Sequence, residues 1–424
     1  MAKIKPFQAV IYNPGKVKDI AKVVCPPYDV VSPEDRQRYA RTHPNNLIHI
    51  LLSKEAAGQD KYKCAARYFT EWLKDEILIR DERPAIYFYS QQYLVKGEKK
   101  TRFGFITLLN LDDAHSSVFK HEHTRLEAKE DRLRLTREVK ANLSPIFVVF
   151  KDKKRIIQRI QERFLNKEPF IDIVNSEGVA HKVWKIDSPQ EIEIIRSGMS
   201  QEDIYIADGH HRFEVACAYQ EEARTSRRNL TGEENFNYVL TYFTNTDPRG
   251  LVILPIHRLL KLGAGSVFEG FKDRLKEYFD LEEVRDKQRF FFLMQKAGLN
   301  EHLIGMYKGK KFWLLRLKNI RVLDELMADK PREYRLLDVA ILNAIVFSKI
   351  LHVDLQDKES LRYSPDAEEF ISACDNDDSL VAFFMNPVKI EQIISVAEKK
   401  ERMPPKSTYF YPKVLSGLVI NKFE

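Results

Sequence analysis

Apolar residues recur at helical spacing along "KYKCAARYFTEWLKDEIL", at Tyr62, Ala65, Ala66, Phe69, Trp72 and Leu73, and this predicts an amphipathic helix. The pattern then changes. "AIYFYSQQYLV" and "TRFGFITLLNL" are rich in aromatic and β-branched residues and read as two strands around the turn "KGEKK". Upstream, in "VVCPPYDVVSPEDRQRYARTHPNN", paired prolines hold an extended loop, and Ser32 followed by Pro33 and Glu34 marks a helix start. Downstream, the charged helix candidate "TRLEAKEDRLRLTREVKAN" leads into the apolar strand "SPIFVVF" and the helix "KKRIIQRIQERF". "PFIDIV" and "AHKVWKI" form a hairpin closed at "NSEG", and a short helix precedes the strand-like "DIYIA". After "DGHHR" come a further helix, the strand "NYVLTYFT" and the loop "NTDPRGLVILPIHR". The last third mixes helices ("SVFEGFKDRLKEYF", "LLDVAILNAIVFSKIL") with strands ("LIGMYK", "FWLLRL", "LVAFFMN").

Alternation without a strict βαβ repeat favours an α+β or mixed α/β fold over a doubly wound sheet. At 424 residues the chain exceeds one simple core, and its rhythm divides it into regions 1–110, 111–260 and 261–424. Net charge is +7, but Lys and Arg are interspersed with Asp and Glu and form no basic tail. Acidic small molecules or phosphates therefore suit the balance as well as nucleic acid does, and no clear nucleic-acid partner is indicated. Cys25, Cys64, Cys217 and Cys374 are dispersed without a CxxC pair, so neither a zinc ribbon nor a disulfide framework is expected. With no signal-like apolar core at the start and no membrane-length apolar run, the expected location is the cytoplasm; the oligomeric state is left open.

The densest polar run is Asp208-Gly209-His210-His211-Arg212, where a short strand hands over to a helix that carries Phe213, Ala216 and Cys217 at helical spacing. Free N–H groups and the positive end of a helix dipole converge at such a junction and favour a phosphate. Gly209 permits a tight turn, and Arg212 offers a planar fork to phosphate oxygens. Asp208 is placed to cap the helix or to hold Mg²⁺, and the imidazoles of His210 and His211 to donate to phosphate, move protons or bind metal. The bland alternative is a turn-and-cap whose arginine pairs with Glu214 or another surface carboxylate.

Other polar clusters are weaker. "KHEHT" places His121 and His123 on one face of an extended segment, either as part of a metal site or as a surface loop. Asp29, in "PPYDVVS", is held by Pro26 and Pro27, either as a preorganised carboxylate or as one bonded to its own backbone. Asn142 and Ser144 stand at a strand mouth, either as substrate contacts or as an ordinary strand start, and Arg132, Arg134 and Arg137 read first as a solvated helix face, with a phosphate contact as the alternative. "PPKSTYFYPK" sets Lys406, Ser407, Thr408 and Lys413 in a stiff aromatic segment, either as part of a site or as a docked C-terminus. His257 reads as a core or boundary histidine. Neither a P-loop, a protein-kinase motif set nor a GxSxG elbow is present.

"ADGHHR" before an aromatic, small-residue helix resembles the phosphate-binding motif of the ParB/sulfiredoxin superfamily, with Gly209 to Arg212 matching its G-x-x-R loop, and its DGHHR form is similar to that of free serine kinases. "CPPYDVVS", "HEHT" with "NLSPIF", "ADGHHR" and "MPPKSTYFYPKVLSGLV" together resemble the prokaryotic family called domain of unknown function ten-fifteen, over nearly the full length. The resemblance implies a ParB/sulfiredoxin-like nucleotide-binding core with additional α+β regions, and a site built on Asp208, Gly209, His210, His211 and Arg212 that takes ATP or ADP. Its further implication is a small-molecule kinase acting on a hydroxyl such as that of serine, with Glu122, Asp29 and His210 as acid–base candidates and Asp208 and Glu122 as Mg²⁺ ligands. A phosphoester or nucleotide hydrolase and a nucleotide-binding regulatory protein are the alternatives. Sulfiredoxins carry a cysteine where His211 stands, and the arginine-rich motif and helix-turn-helix of ParB clamps are absent.

Overall fold

A computed structural model describes residues 2–55, 58–112, 117–262, 266–297, 301–353 and 361–423. The fold is α+β, and the chain divides into two compact units. The first comprises residues 1–120, 124–252 and 412–424; the second comprises 121–123 and 253–411. The expected boundary at 110 is corrected, because it cuts through a single sheet whose strands come from both sides of it.

That sheet, in the first unit, runs Val118–Phe119, Ile204–Asp208, Ile146–Phe150, Tyr238–Asn245, Glu98–Asn110, Ile86–Val95, Ala180–Ile186, Ile171–Val174, with Ile4–Lys5 paired to Glu98–Asn110. It is mixed: Ile146–Phe150 lies parallel to Tyr238–Asn245 and antiparallel to Ile204–Asp208. Every residue of "IFVVF" is buried, as a strand needs when both of its faces are covered. The hairpin turn is tighter than "KGEKK" suggests. Val95 pairs directly with Glu98, and Lys96 and Gly97 make the turn with φ of 50° and 81°, the two positive angles a two-residue hairpin requires.

Helices Ile156–Phe164, Pro189–Met199 and His210–Ser226 pack Ile157, Ile160, Ile195, Met199 and Phe213 against Phe88, Phe105, Val148 and Phe150 of the sheet. Helix Pro33–Thr42 starts as its sequence predicts, with Ser32 accepting from the Asp35 amide at 3.0 Å and Pro33 in the first turn, and Asp60 caps helix Lys61–Lys74 by accepting from the Tyr62 amide at 2.7 Å.

The second unit carries an antiparallel sheet ordered Phe279–Val284, Lys311–Leu317, Leu303–Lys308, Leu380–Phe384, His257–Lys261, Leu361–Ser364. His257–Lys261 is thus a strand that begins at the end of the expected loop. Helices Lys287–Ala297 and Ala367–Asn376 cover this sheet through Phe290, Met294, Phe370 and Cys374. His257 is buried here, accepts from the Met385 amide at 3.2 Å, and is pushed down to about 4 by burial and by Arg258. Among the described residues no helix is long and apolar enough to cross a membrane.

Candidate functional site

Strand Ile204–Asp208 ends at Asp208, and helix His210–Ser226 begins two residues later, as the apolar "IYIA" and the spacing of Phe213 and Ala216 predict. Gly209 is the junction, with φ +92° and ψ 30°, a left-handed conformation that only glycine adopts cheaply. A Cβ there would lie 3.0 Å from the Arg212 guanidinium carbon, so glycine also makes room for the arginine to fold back.

Arg212 folds back onto Asp208. Its Nη2 donates to Asp208 Oδ2 and its Nη1 to the Pro145 carbonyl, while Lys413 donates to Asp208 Oδ1. The three side chains are 10–12% exposed. Burial raises the Asp208 pKa, but Lys413 and Arg212, with His210, outweigh it and hold the carboxyl well below its ordinary range. Burial acts against the Arg212 charge, and Asp208 and Asp29 more than restore it. Pairing with Glu214 does not occur; that carboxylate takes Thr124 at 2.6 Å, with Lys129 at 3.2 Å and Lys120 at 3.5 Å. His211 accepts from the Arg125 amide at 2.9 Å, and His210 is buried.

Four motifs scattered along the chain meet here. The "PPYD" segment turns over Tyr28–Val30, with Tyr28 and Asp29 close enough to Arg212 to act on its charge. "NLSP" contributes the Pro145 carbonyl, and its Ser144 hydroxyl bonds Ser416 of the terminal motif. Cys25, just ahead of the prolines, pairs backbone to backbone with Ser416. Lys413 itself is set by two buried residues of the hairpin. Arg102 donates to the Pro412 carbonyl, and Gln91 donates to the Lys413 carbonyl at 2.9 Å. Lys413 was legible only as a polar residue in a stiff, aromatic terminal stretch; its reach to Asp208 across 205 positions carried no local signal.

Several expectations are corrected. Asp208 does not cap the helix, since Gly209 is the capping residue. Magnesium does not fit Asp208 as it stands, because Lys413 and Arg212 take its two oxygens. Arg132 is buried, not solvated. It lies 4.6 Å from the centre of the Tyr28 ring and donates to the Leu51 carbonyl at 2.7 Å. Arg134 and Arg137 do lie on the exposed face, paired with Asp60 at 3.1 Å and Glu222 at 2.7 Å. Asn142 is structural, accepting from the Leu240 amide and from Asn421, both at 3.1 Å.

Glu122 falls in the second unit with His121 and His123, while Asp29 and Asp208 belong to the first. In that second unit His121 is buried against Thr408, with Nε2 to Oγ1 at 3.3 Å, and its carbonyl accepts from the Met403 amide at 2.7 Å. Lys406 accepts there from Arg258 through its carbonyl at 3.0 Å.

Among solved structures, the chain is similar to a conserved hypothetical protein from Pyrococcus furiosus, at 12% identity over 73% of this chain and 92% of that one, with a TM-score of 0.33. A variant of free serine kinase in complex with ADP is 11% identical over 73% of this chain and 91% of its own, at a TM-score of 0.36. SbnI with a C-terminal truncation, from Staphylococcus aureus, is 12% identical over 73% and 85%, at 0.37. No curated protein matches significantly. The family described as "Protein of unknown function (DUF1015)" matches residues 4–340, most of the chain, and this protein belongs to that family.

Proposed function

We propose that the first unit binds a nucleotide through its phosphates at the Gly209–Arg212 junction and transfers the terminal phosphoryl group to the hydroxyl of a small metabolite. The observation that carries this reading is the pair of cations, Arg212 and Lys413, gathered on one buried carboxylate at the start of a 17-residue helix. Asp208 holds both cations in place, and the helix start adds N–H donors and a favourable dipole for anionic oxygens. The nucleotide, as opposed to any phosphate ester, follows from the resemblance of "ADGHHR" to ParB/sulfiredoxin phosphate loops.

Asp29 is the favoured base. It is exposed, on a turn stiffened by two prolines, and its charge acts on Arg212. In the transfer the acceptor O–H proton passes to the Asp29 carboxylate, and the acceptor oxygen bonds to the terminal phosphorus. The bond from that phosphorus to the bridging oxygen breaks, and its electron pair leaves with the nucleoside diphosphate or monophosphate. His210, buried and two positions from Asp208, helps hold that carboxylate ionised. Positioning and charge neutralisation supply most of the acceleration.

Incubation with ATP or ADP and a panel of hydroxylated metabolites tests the reading. A phosphorylated acceptor, lost in Asp29→Asn, is the expected result. Free phosphate alone would assign a hydrolase, and tight binding without turnover a sensor.

A further inference from the structure

A cleft of about 350 Å³ opens in the first unit beside the Tyr28–Asp29 turn. Arg132 is common to both: it lines the cleft, and its guanidinium lies 4.6 Å from the centre of the Tyr28 ring. Four cationic side chains line this cleft, Arg36, Lys54, Lys61 and Arg132, and among the described residues no carboxylate does. Lys61 and Arg132 are neutralised from outside it by Asp131, which Lys61 meets at 2.7 Å. Arg36 and Lys54 form no ion pair among the described residues; Arg36 commits Nε to the Leu52 carbonyl at 3.1 Å. A half-buried guanidinium bonded to a single carbonyl sits at a cost that an incoming anion would relieve. Leu52 and Leu135 supply apolar wall, which suits an organic body over a bare inorganic ion.

Position ties the cleft to the transfer. Val31 lines it and lies two residues from Asp29, at most about 7 Å of chain. We propose that this cleft is the acceptor site and that the acceptor is a hydroxy acid, its carboxylate held by Arg36 and Lys54 and its hydroxyl directed toward Asp29. This inference rests on the phosphotransfer reading above for the word acceptor, but the binding it asserts is measurable without a nucleotide.

Calorimetry on the full chain with L-serine, D-glycerate and L-malate, and with glycerol as the uncharged control, tests it. At least one acid binds while glycerol does not, Arg36→Gln and Lys54→Glu each weaken that binding about tenfold or more, and Arg212→Ala leaves it unchanged. ATP affinity should show the reverse pattern, falling in Arg212→Ala and holding in Lys54→Glu. Lys54 is on the surface, so its charge reversal tests the cleft even where Arg36→Gln unfolds. If no acid binds, or if acid affinity ignores both substitutions, the cleft is not an acceptor site. When ATP binding still depends on Arg212 in that case, only this inference falls; when neither ligand binds, the phosphotransfer reading falls with it.

Discussion

The two ends of the first unit's sheet hold charge in opposite ways. At the end where Asn245 pairs with Phe150 lies a cleft of about 1110 Å³, lined by Lys151, Asp152, Arg155, Asp247 and Arg249. Two of its ionic groups bond close neighbours in sequence, Asp152 adding one longer-range bond from Asn245 at 3.3 Å. Arg249 pairs with Asp247 at 2.6 Å, and Asp152 accepts from the amides of Ile156 at 2.5 Å and Ile157 at 3.2 Å. At the other end, where Asp208 pairs with Phe147, Arg212 folds back from four positions away, but the Pro145 carbonyl it also takes lies 67 positions off and Lys413 comes from 205, leaving two cations on one carboxylate. Volume alone would choose the first end. Local pairs of that kind are turn and cap chemistry, however, whereas buried charges assembled from distant segments cost stability unless something uses them.

Removing the carboxylate that defines the second end has the largest expected effect. Asp208→Asn leaves Arg212 and Lys413 buried without their counter-charge, and urea unfolding should show a loss of about 3–5 kcal/mol. A loss under about 1 kcal/mol would mean that the cluster is solvated and ordinary.

In the same sheet, buried His181 gives a pH signature. Its Nδ1 meets the Tyr89 hydroxyl at 2.7 Å, and burial, with the nearby charge of Arg102, pushes it down to about 3. The unfolded chain takes up this proton near its ordinary pKa, the folded one only near 3, so lowering the pH from about 6.5 destabilises the fold by up to about 1.4 kcal/mol per unit. Denaturation at pH 6 and pH 4 should differ less in His181→Asn than in the wild type; equal differences would place the histidine in water.

Gly209→Ala should cost about 1–2 kcal/mol for its positive φ and also push the Arg212 guanidinium away from Asp208. Nucleotide affinity should therefore fall along with stability. At the opposite end Arg249→Ala, on a side chain 89% exposed, should change stability by less than about 0.5 kcal/mol and leave nucleotide binding alone.

Local chemistry made much of this readable in the sequence. The strand, the glycine and the helix around Asp208 follow from apolar spacing and a backbone turn, and Ser32 with Pro33 marks a helix start by capping alone. What the pattern leaves out is tertiary. Arg132 sits among acids at helical spacing and looks solvated, yet its burial depends on Tyr28 and Leu51, more than 80 residues earlier. The sheet joins strands from either side of residue 110 because Glu98–Asn110 pairs with Tyr238–Asn245, a register that no local window contains. Lys413 is the sharpest case, since its meaning lies wholly in a partner 205 positions away.

The central claim, that phosphates bind at the Asp208 end and not in the larger cleft, is tested most directly by ATP and ADP calorimetry on the wild type, Arg212→Ala and Arg249→Ala. The account predicts binding that weakens by about 1.5–3 kcal/mol in folded Arg212→Ala and is unchanged in Arg249→Ala. Binding that survives Arg212→Ala and fails in Arg249→Ala would contradict it and move the site to the other end of the sheet.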